Sequence, residues 1–132
     1  MRKLDETTFV SVRQLNVDDI DEAAALGIRL IVNNRPDGEE PGQPFSAEIE
    51  AAAGAAGLGY RHIPIAGAFP PEQVEAMASA LEQGPVLAFC RTGTRSTFLW
   101  ALARASRGAP AEDSVAAAAA AGYDLAPVRP LL

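Results

Sequence analysis

Short apolar runs alternate with longer amphipathic ones along this chain, and glycine or proline marks most junctions. Residues 9–12 read as a short strand. The next stretch has helical spacing, with Asn16 or Asp18 as N-cap and Gly27 as the stop after Leu26. Residues 29–33 hold Leu30, Ile31 and Val32 in one compact run, the pattern of a buried strand. Residues 34–42 are rich in Asn, Asp, Pro and Gly, so they predict a loop. A helix is expected from Ser46 to Ala56, ended by Gly57, and then a third core strand over 60–65. Pro70 and Pro71 suit the first turn of a helix reaching Glu82, because proline lacks only an N–H that the first turn leaves unpaired anyway. Gly84 and Pro85 break it. Residues 86–89 make a fourth strand, a helix runs from Thr94 or Arg95 to about Ser106, and a last helix over 110–121 closes at Gly122. The alanine run at 116–121 fits that helix through propensity alone.

Strands and helices therefore alternate, which predicts an α/β, three-layer fold with a mainly parallel central sheet of about four to five strands flanked by helices. No linker or repeat divides the chain, so residues 1–132 are expected to form one domain. In parallel sheets ligands bind at the carboxyl ends of strands. The loops 34–42, 66–69 and 90–94 all follow strands and should share one rim.

Composition narrows the chemistry. The net charge of −6 argues against a nucleic-acid surface. No apolar run approaches a membrane span, and residues 1–15 lack the apolar stretch of a secretory leader. One cysteine forbids an intramolecular disulfide and fits a reducing, cytoplasmic setting. With one cysteine and one histidine, no zinc site has enough soft ligands, and no cofactor is expected. His62 reads as a packed or edge strand residue. Arg104 and Arg107 read as the solvated face of a helix, and Phe98, Leu99 and Trp100 as core. The tail 127–132 is open between covering the core and covering a partner, and the oligomeric state is equally open.

The segment Cys90-Arg91-Thr92-Gly93-Thr94-Arg95-Ser96 stands between a strand and a helix. Gly93 lets the backbone turn so that successive N–H groups face inward. Together with a helix N-terminus they form an anion cradle, and the same field favours thiolate over thiol at Cys90. Arg95 adds a planar fork for an anionic group. Arg91, Thr92, Thr94 and Ser96 complete the candidate anion site, and the Ser96 and Thr97 hydroxyls are candidate donors to the sulfur. Two reactions use such a thiolate: phosphoryl transfer through phosphocysteine, and sulfur transfer through a cysteine persulfide. Tyrosine phosphatases carry Cys-x5-Arg behind a histidine, whereas rhodanese-type sulfurtransferases carry Cys-x4-Arg. Here the spacing is Cys-x4-Arg and Phe89 precedes the cysteine, so the loop alone is rhodanese-like.

Three separated motifs occur in order: residues 33–39 (Asn-Asn-Arg-Pro-Asp-Gly-Glu), 57–64 (Gly-Leu-Gly-Tyr-Arg-His-Ile-Pro) and 84–96, which contains the cysteine loop. Together they resemble the phosphatase-like domain of the beta-lactamase-hydrolase-like family, over about residues 4–106. That resemblance implies a dual-specificity-phosphatase-like fold, with Cys90 as nucleophile and Arg95 as anion-binding residue. Family members also occur fused to metallo-beta-lactamase-like and rhodanese modules. Tyrosine phosphatases use an aspartate acid from a mobile loop, but residues 65–72 here contain no aspartate. Glu72 lies in a helix first turn, where carboxylates are common. Asp37 and Glu39 are the better candidates, with Asp37 named as the acid and turn-making as its alternative. Arg35 either widens the anion site or pairs with Asp37 and Glu39. The substrate is thus expected to be a small anion, either a phosphate ester or a sulfane-sulfur donor. The leading expectation is a metal-independent cysteine hydrolase, the second a sulfurtransferase, and the third an anion-binding module without turnover.

Overall fold

Alternating side chains on two central strands divide the core into two halves. The computed structural model describes residues 1–132. Its strands are β1 (Arg2–Asp5), β2 (Thr8–Val10), β3 (Leu30–Asn33), β4 (Gly59–His62) and β5 (Val86–Phe89). Its helices are α1 (Val17–Ala25), α2 (Ser46–Ala55), α3 (Pro71–Leu81), α4 (Thr94–Ser106) and α5 (Ala111–Ala120), with a 3-10 turn at Arg129–Leu131. The sheet order is β1-β2-β5-β3-β4. Only the β1–β2 pair is antiparallel. The α/β class, the flanking helices and the mainly parallel sheet are as the pattern predicts.

β3 and β5 lie at the centre and are buried along their whole length. Since strand side chains alternate between faces, Leu30, Val32, Val86 and Ala88 pack with Met77, Leu99 and Trp100 of α3 and α4. Ile31, Leu87 and Phe89 pack with Ile20 of α1 and Ile49 of α2 on the other side. The chain moves outward from β2 to β3 to β4, then reverses to reach β5. With right-handed crossovers a reversal changes face, which is why α3 lies opposite α1 and α2.

Two expectations need correction, and one strand went unexpected. The segment expected as a third core strand over 60–65 is a shorter edge strand, mostly exposed, because nothing pairs beyond β4. The strand expected at 9–12 is Thr8–Val10, since Ser11 leaves the ladder after one bond to Ala88. β1 was unmarked in the sequence: only Leu4 is buried, and Arg2 and Lys3 face solvent. The tail packs on the core through Val128, leaving Leu131 exposed.

Local chemistry explains the helix starts. Asn16 and Asp19 form a reciprocal capping box on α1, and Arg13 grips Asp19 with two bonds of 2.7 Å. α3 begins at Pro71, and α4 follows Gly93, which has φ of 92°. No helix is long and apolar enough to cross a membrane.

Ile49 is fully buried between the α2 face and the sheet. Ile49→Ala should therefore cost about 2–5 kcal/mol, counting lost transfer energy and the residual cavity. Leu131→Ala, at a position 66% exposed, should change stability by no more than about 0.5 kcal/mol. Urea midpoints of the two variants check the contrast.

Candidate functional site

The parallel order of β3, β4 and β5 brings their carboxyl ends to one edge, so the loops that follow them share a rim. Arg95, in the first turn of α4, joins all three. Its two Nη groups donate to the two Glu39 carboxylate oxygens at 2.8 Å, and Nη1 also donates to the Ile65 carbonyl at 2.7 Å. Glu39 belongs to the loop after β3, and Ile65 lies beyond β4.

Glu39 receives a second guanidinium from below. Arg35 is 1% exposed, the deepest charged group of the protein. Its Nε donates to Glu39 at 2.9 Å, its Nη2 to Glu40 at 2.9 Å and its Nη1 to the Gln14 amide oxygen at 3.0 Å. Burial works against its charge, and the two carboxylates more than offset that loss. The hydrogen bonds from Arg95, opposed by burial and reinforced by Arg35, hold the Glu39 carboxyl at about 2. Reciprocally, Glu39 raises Arg95, and the nearby Cys90 adds to that shift. Arg35 thus pairs with Glu39, as expected, but with Glu40 in place of Asp37. Three of the five guanidinium N–H groups of Arg35 are thereby engaged, and the side chain lies buried beneath the rim.

Cys90 follows the buried end of β5 and is itself 1% exposed. The Gly93 N–H points at its sulfur, 3.2 Å away. That orientation needs the left-handed backbone of Gly93. A Cβ there would collide with the Tyr123 hydroxyl and approach the Ser11 carbonyl to 2.7 Å. One N–H of the loop, that of Gly93, is thus turned toward Cys90.

The remaining expected residues divide. Thr92 and Thr94 share a hydroxyl contact of 3.1 Å at the mouth of the loop. Arg91 points outward, 67% exposed, toward Glu40 at 3.9 Å. Ser96 is buried and donates its proton to Asn34 Oδ1 at 2.8 Å, while the Asn34 amide donates to the Ile63 carbonyl. Thr97 donates to the Gly93 carbonyl at 2.7 Å. Both hydroxyl protons are thus committed, and the expectation that they donate to the sulfur is corrected. Asp37 Oδ1 accepts the Ser46 N–H at 2.8 Å, so this carboxylate holds the start of α2. Glu72 lies in the first turn of α3, as expected. His62 sits on the edge strand with Nε2 2.9 Å from the Arg35 carbonyl. Arg107 bridges Glu75 and Glu82 on the surface.

Gln14, Asn34 and Tyr123 were not singled out by the sequence. Gln14 and Asn34 act across long sequence separations, which no local pattern encodes. Tyr123, just after Gly122 on the far side of α5, donates to the Thr92 carbonyl at 2.8 Å.

Residues 1–107 match the family model for the beta-lactamase hydrolase-like protein, phosphatase-like domain. A beta-lactamase hydrolase-like protein of Agrobacterium fabrum is 43% identical over 98 residues, which cover 70% of this chain and 22% of that protein. The chain thus spans well under a third of the length of the curated relatives it matches, between 22% and 27%. The crystal structure of a candidate phosphatase from Neisseria meningitidis is similar at TM-score 0.83 and 40% identity, covering 98% of this chain and 93% of that one. Tk-PTP in its active form is similar at TM-score 0.74 and 21% identity, covering 97% and 89%. At that identity the likeness concerns the fold, which is the phosphatase-type α/β fold expected from the motifs.

The Glu39 carboxyl, at about 2, lies below its ordinary 4.5. A lowered carboxyl contributes stability that is complete above the unfolded value and fades as pH falls through the folded one. The stability gap between wild type and Glu39→Gln should therefore be full above pH 4.5 and close toward pH 2. Unfolding midpoints of both proteins across that range test the sign.

Proposed function

The chain belongs to the phosphatase-like domain family of the beta-lactamase-hydrolase-like proteins, and from that premise we propose that it is a cysteine-dependent hydrolase of a small phosphate ester. The carrying observation is the Gly93 N–H aimed at Cys90 Sγ, 3.2 Å away, inside the loop that opens α4. In this reading the Cys90 thiolate attacks phosphorus. The S–P bond forms as the ester P–O bond breaks, and the leaving oxygen departs as the anion and takes its proton from solvent water. Water then attacks the phosphocysteine, releasing phosphate and restoring the thiolate. The N–H groups of residues 91–95 and the helix end carry the non-bridging oxygens. Arg95 supplies positive charge beside the sulfur, and its Glu39 clamp sets the angle of the guanidinium.

The proton on the leaving oxygen discriminates among substrates. Glu39 is held ionised by two guanidinium groups, which makes it a poor acid near neutral pH. We assign Asp37 to α2, given its bond to the Ser46 N–H. A general acid contributes roughly 10²–10⁴-fold, so this hydrolase should favour esters whose leaving group needs little help, such as aryl phosphates.

One specific observation favours a second reading. The Cys-x4-Arg spacing is one residue shorter than the phosphatase loop, and Arg95 is tied to both Glu39 and Ile65. A tight loop with a fixed arginine suits a sulfurtransferase. There the thiolate attacks the outer sulfur of a sulfane donor such as thiosulfate, the donor S–S bond breaks, sulfite leaves, and a Cys90 persulfide remains. A thiol or cyanide acceptor removes that sulfur.

Wild type and Cys90→Ser are to be incubated with an aryl phosphate and, separately, with thiosulfate plus cyanide. Phosphate release that falls by at least about 10³-fold in the variant, in line with the loss of a nucleophile, supports the hydrolase. Thiocyanate formation without phosphate release, with one extra sulfur on Cys90 by intact mass, overturns it in favour of sulfur transfer. Binding of phosphate or sulfate without either turnover leaves an anion-binding module instead.

A further inference from the structure

The peptide unit between Thr92 and Gly93 is gripped at both ends. Its N–H donates to Cys90 Sγ at 3.2 Å, and its carbonyl accepts the Tyr123 hydroxyl at 2.8 Å. In a trans peptide these two groups point in opposite directions from one rigid plane. Whatever fixes the carbonyl therefore fixes the direction of the N–H. Tyr123 is itself held. Its ring faces the Arg2 guanidinium at 5.7 Å, and Arg2 Nη1 donates to the Ala121 carbonyl at 2.7 Å. Burial, offset by Arg2 and reinforced by Cys90, pushes the phenol above its ordinary value, so its proton stays in place for donation near neutral pH.

We propose that Tyr123 is a positioning residue for the nucleophile: its hydroxyl locks the Thr92–Gly93 peptide so that the Gly93 N–H faces the Cys90 sulfur. Gly93 leaves room for that hydroxyl, which a Cβ at this position would strike. This residue lies outside the segment matched by the family model, residues 1–107. The nucleophile loop thus depends on the last helix and the strand at the start of the chain, as well as on its own sequence. The inference rests on Cys90 being an activated nucleophile, and it holds for either phosphorus or sulfur as the target.

Tyr123→Phe keeps the ring and removes the one donor. The measurement is the rate of Cys90 alkylation by iodoacetamide as a function of pH, by intact mass, with thermal melting alongside. The loss of one hydrogen bond's worth of organisation predicts about a 3- to 10-fold slower alkylation near neutral pH, a profile displaced to higher pH, and a melting midpoint close to wild type. Ile49→Ala is the control, because it lowers stability from the opposite face of the sheet, and it should alkylate as wild type does. Equal rates for Tyr123→Phe and wild type overturn the inference. So does an equal slowing in Ile49→Ala, which would make the effect a general loosening. Should wild type itself react no faster than glutathione at the same pH, the nucleophile reading fails first, and the inference falls with it.

Discussion

The rim of this protein is organised around a carboxylate caught between two guanidinium groups. Glu39 meets Arg95 from the first turn of α4 and Arg35 from the core, and the second contact explains why a charge as buried as Arg35 is tolerated. An unpaired ion at that depth would be strongly unfavourable. With Glu39 and Glu40 in place, Arg35 becomes a rigid post on which the loop after β3 is mounted. Arg95 then carries that rigidity to the loop beyond β4 through Ile65 and to the first turn of α4. Three loops that the chain visits far apart are held in one arrangement by a few charge-assisted bonds.

That arrangement also sets what an incoming anion meets. Arg35, Arg91 and Arg95 face Glu39 and Glu40, three positive charges against two negative ones, so the cluster keeps a net positive charge. The loop N–H groups and the helix end supply the rest of the attraction. In the proposed function, a doubly charged ligand would share Arg95 with the resident Glu39 carboxylate.

The fold was largely legible because its central strands are short, apolar and bounded by turn residues. Leu30-Ile31-Val32 and Val86-Leu87-Ala88-Phe89 announce themselves. β1 did not, since an edge strand with one buried side chain has no apolar alternation to detect. The 60–65 segment was overread for a different reason: Ile63 and Ile65 are core residues, but they enter the core from beyond the strand, since the ladder ends at His62. Cys90, Gly93 and Arg95 could be found because one short segment holds them all. The capping role of Asp37, the commitment of Ser96 to Asn34 and the contact of Tyr123 with Thr92 depend on which loops meet. Spacing along the chain does not carry that information.

Trp100 gives the same architecture an optical reporter. It is the only tryptophan, it is fully buried two turns into the helix that starts at the nucleophile loop, and its indole N–H donates to Asp5 at the end of β1. Arg104 lies over its ring at 5.2 Å and also reaches Asp5. Emission from this single indole therefore senses whether the N-terminal hairpin is seated against α4. Detachment of that hairpin would admit water to the ring and shift its fluorescence to the red, with no label added.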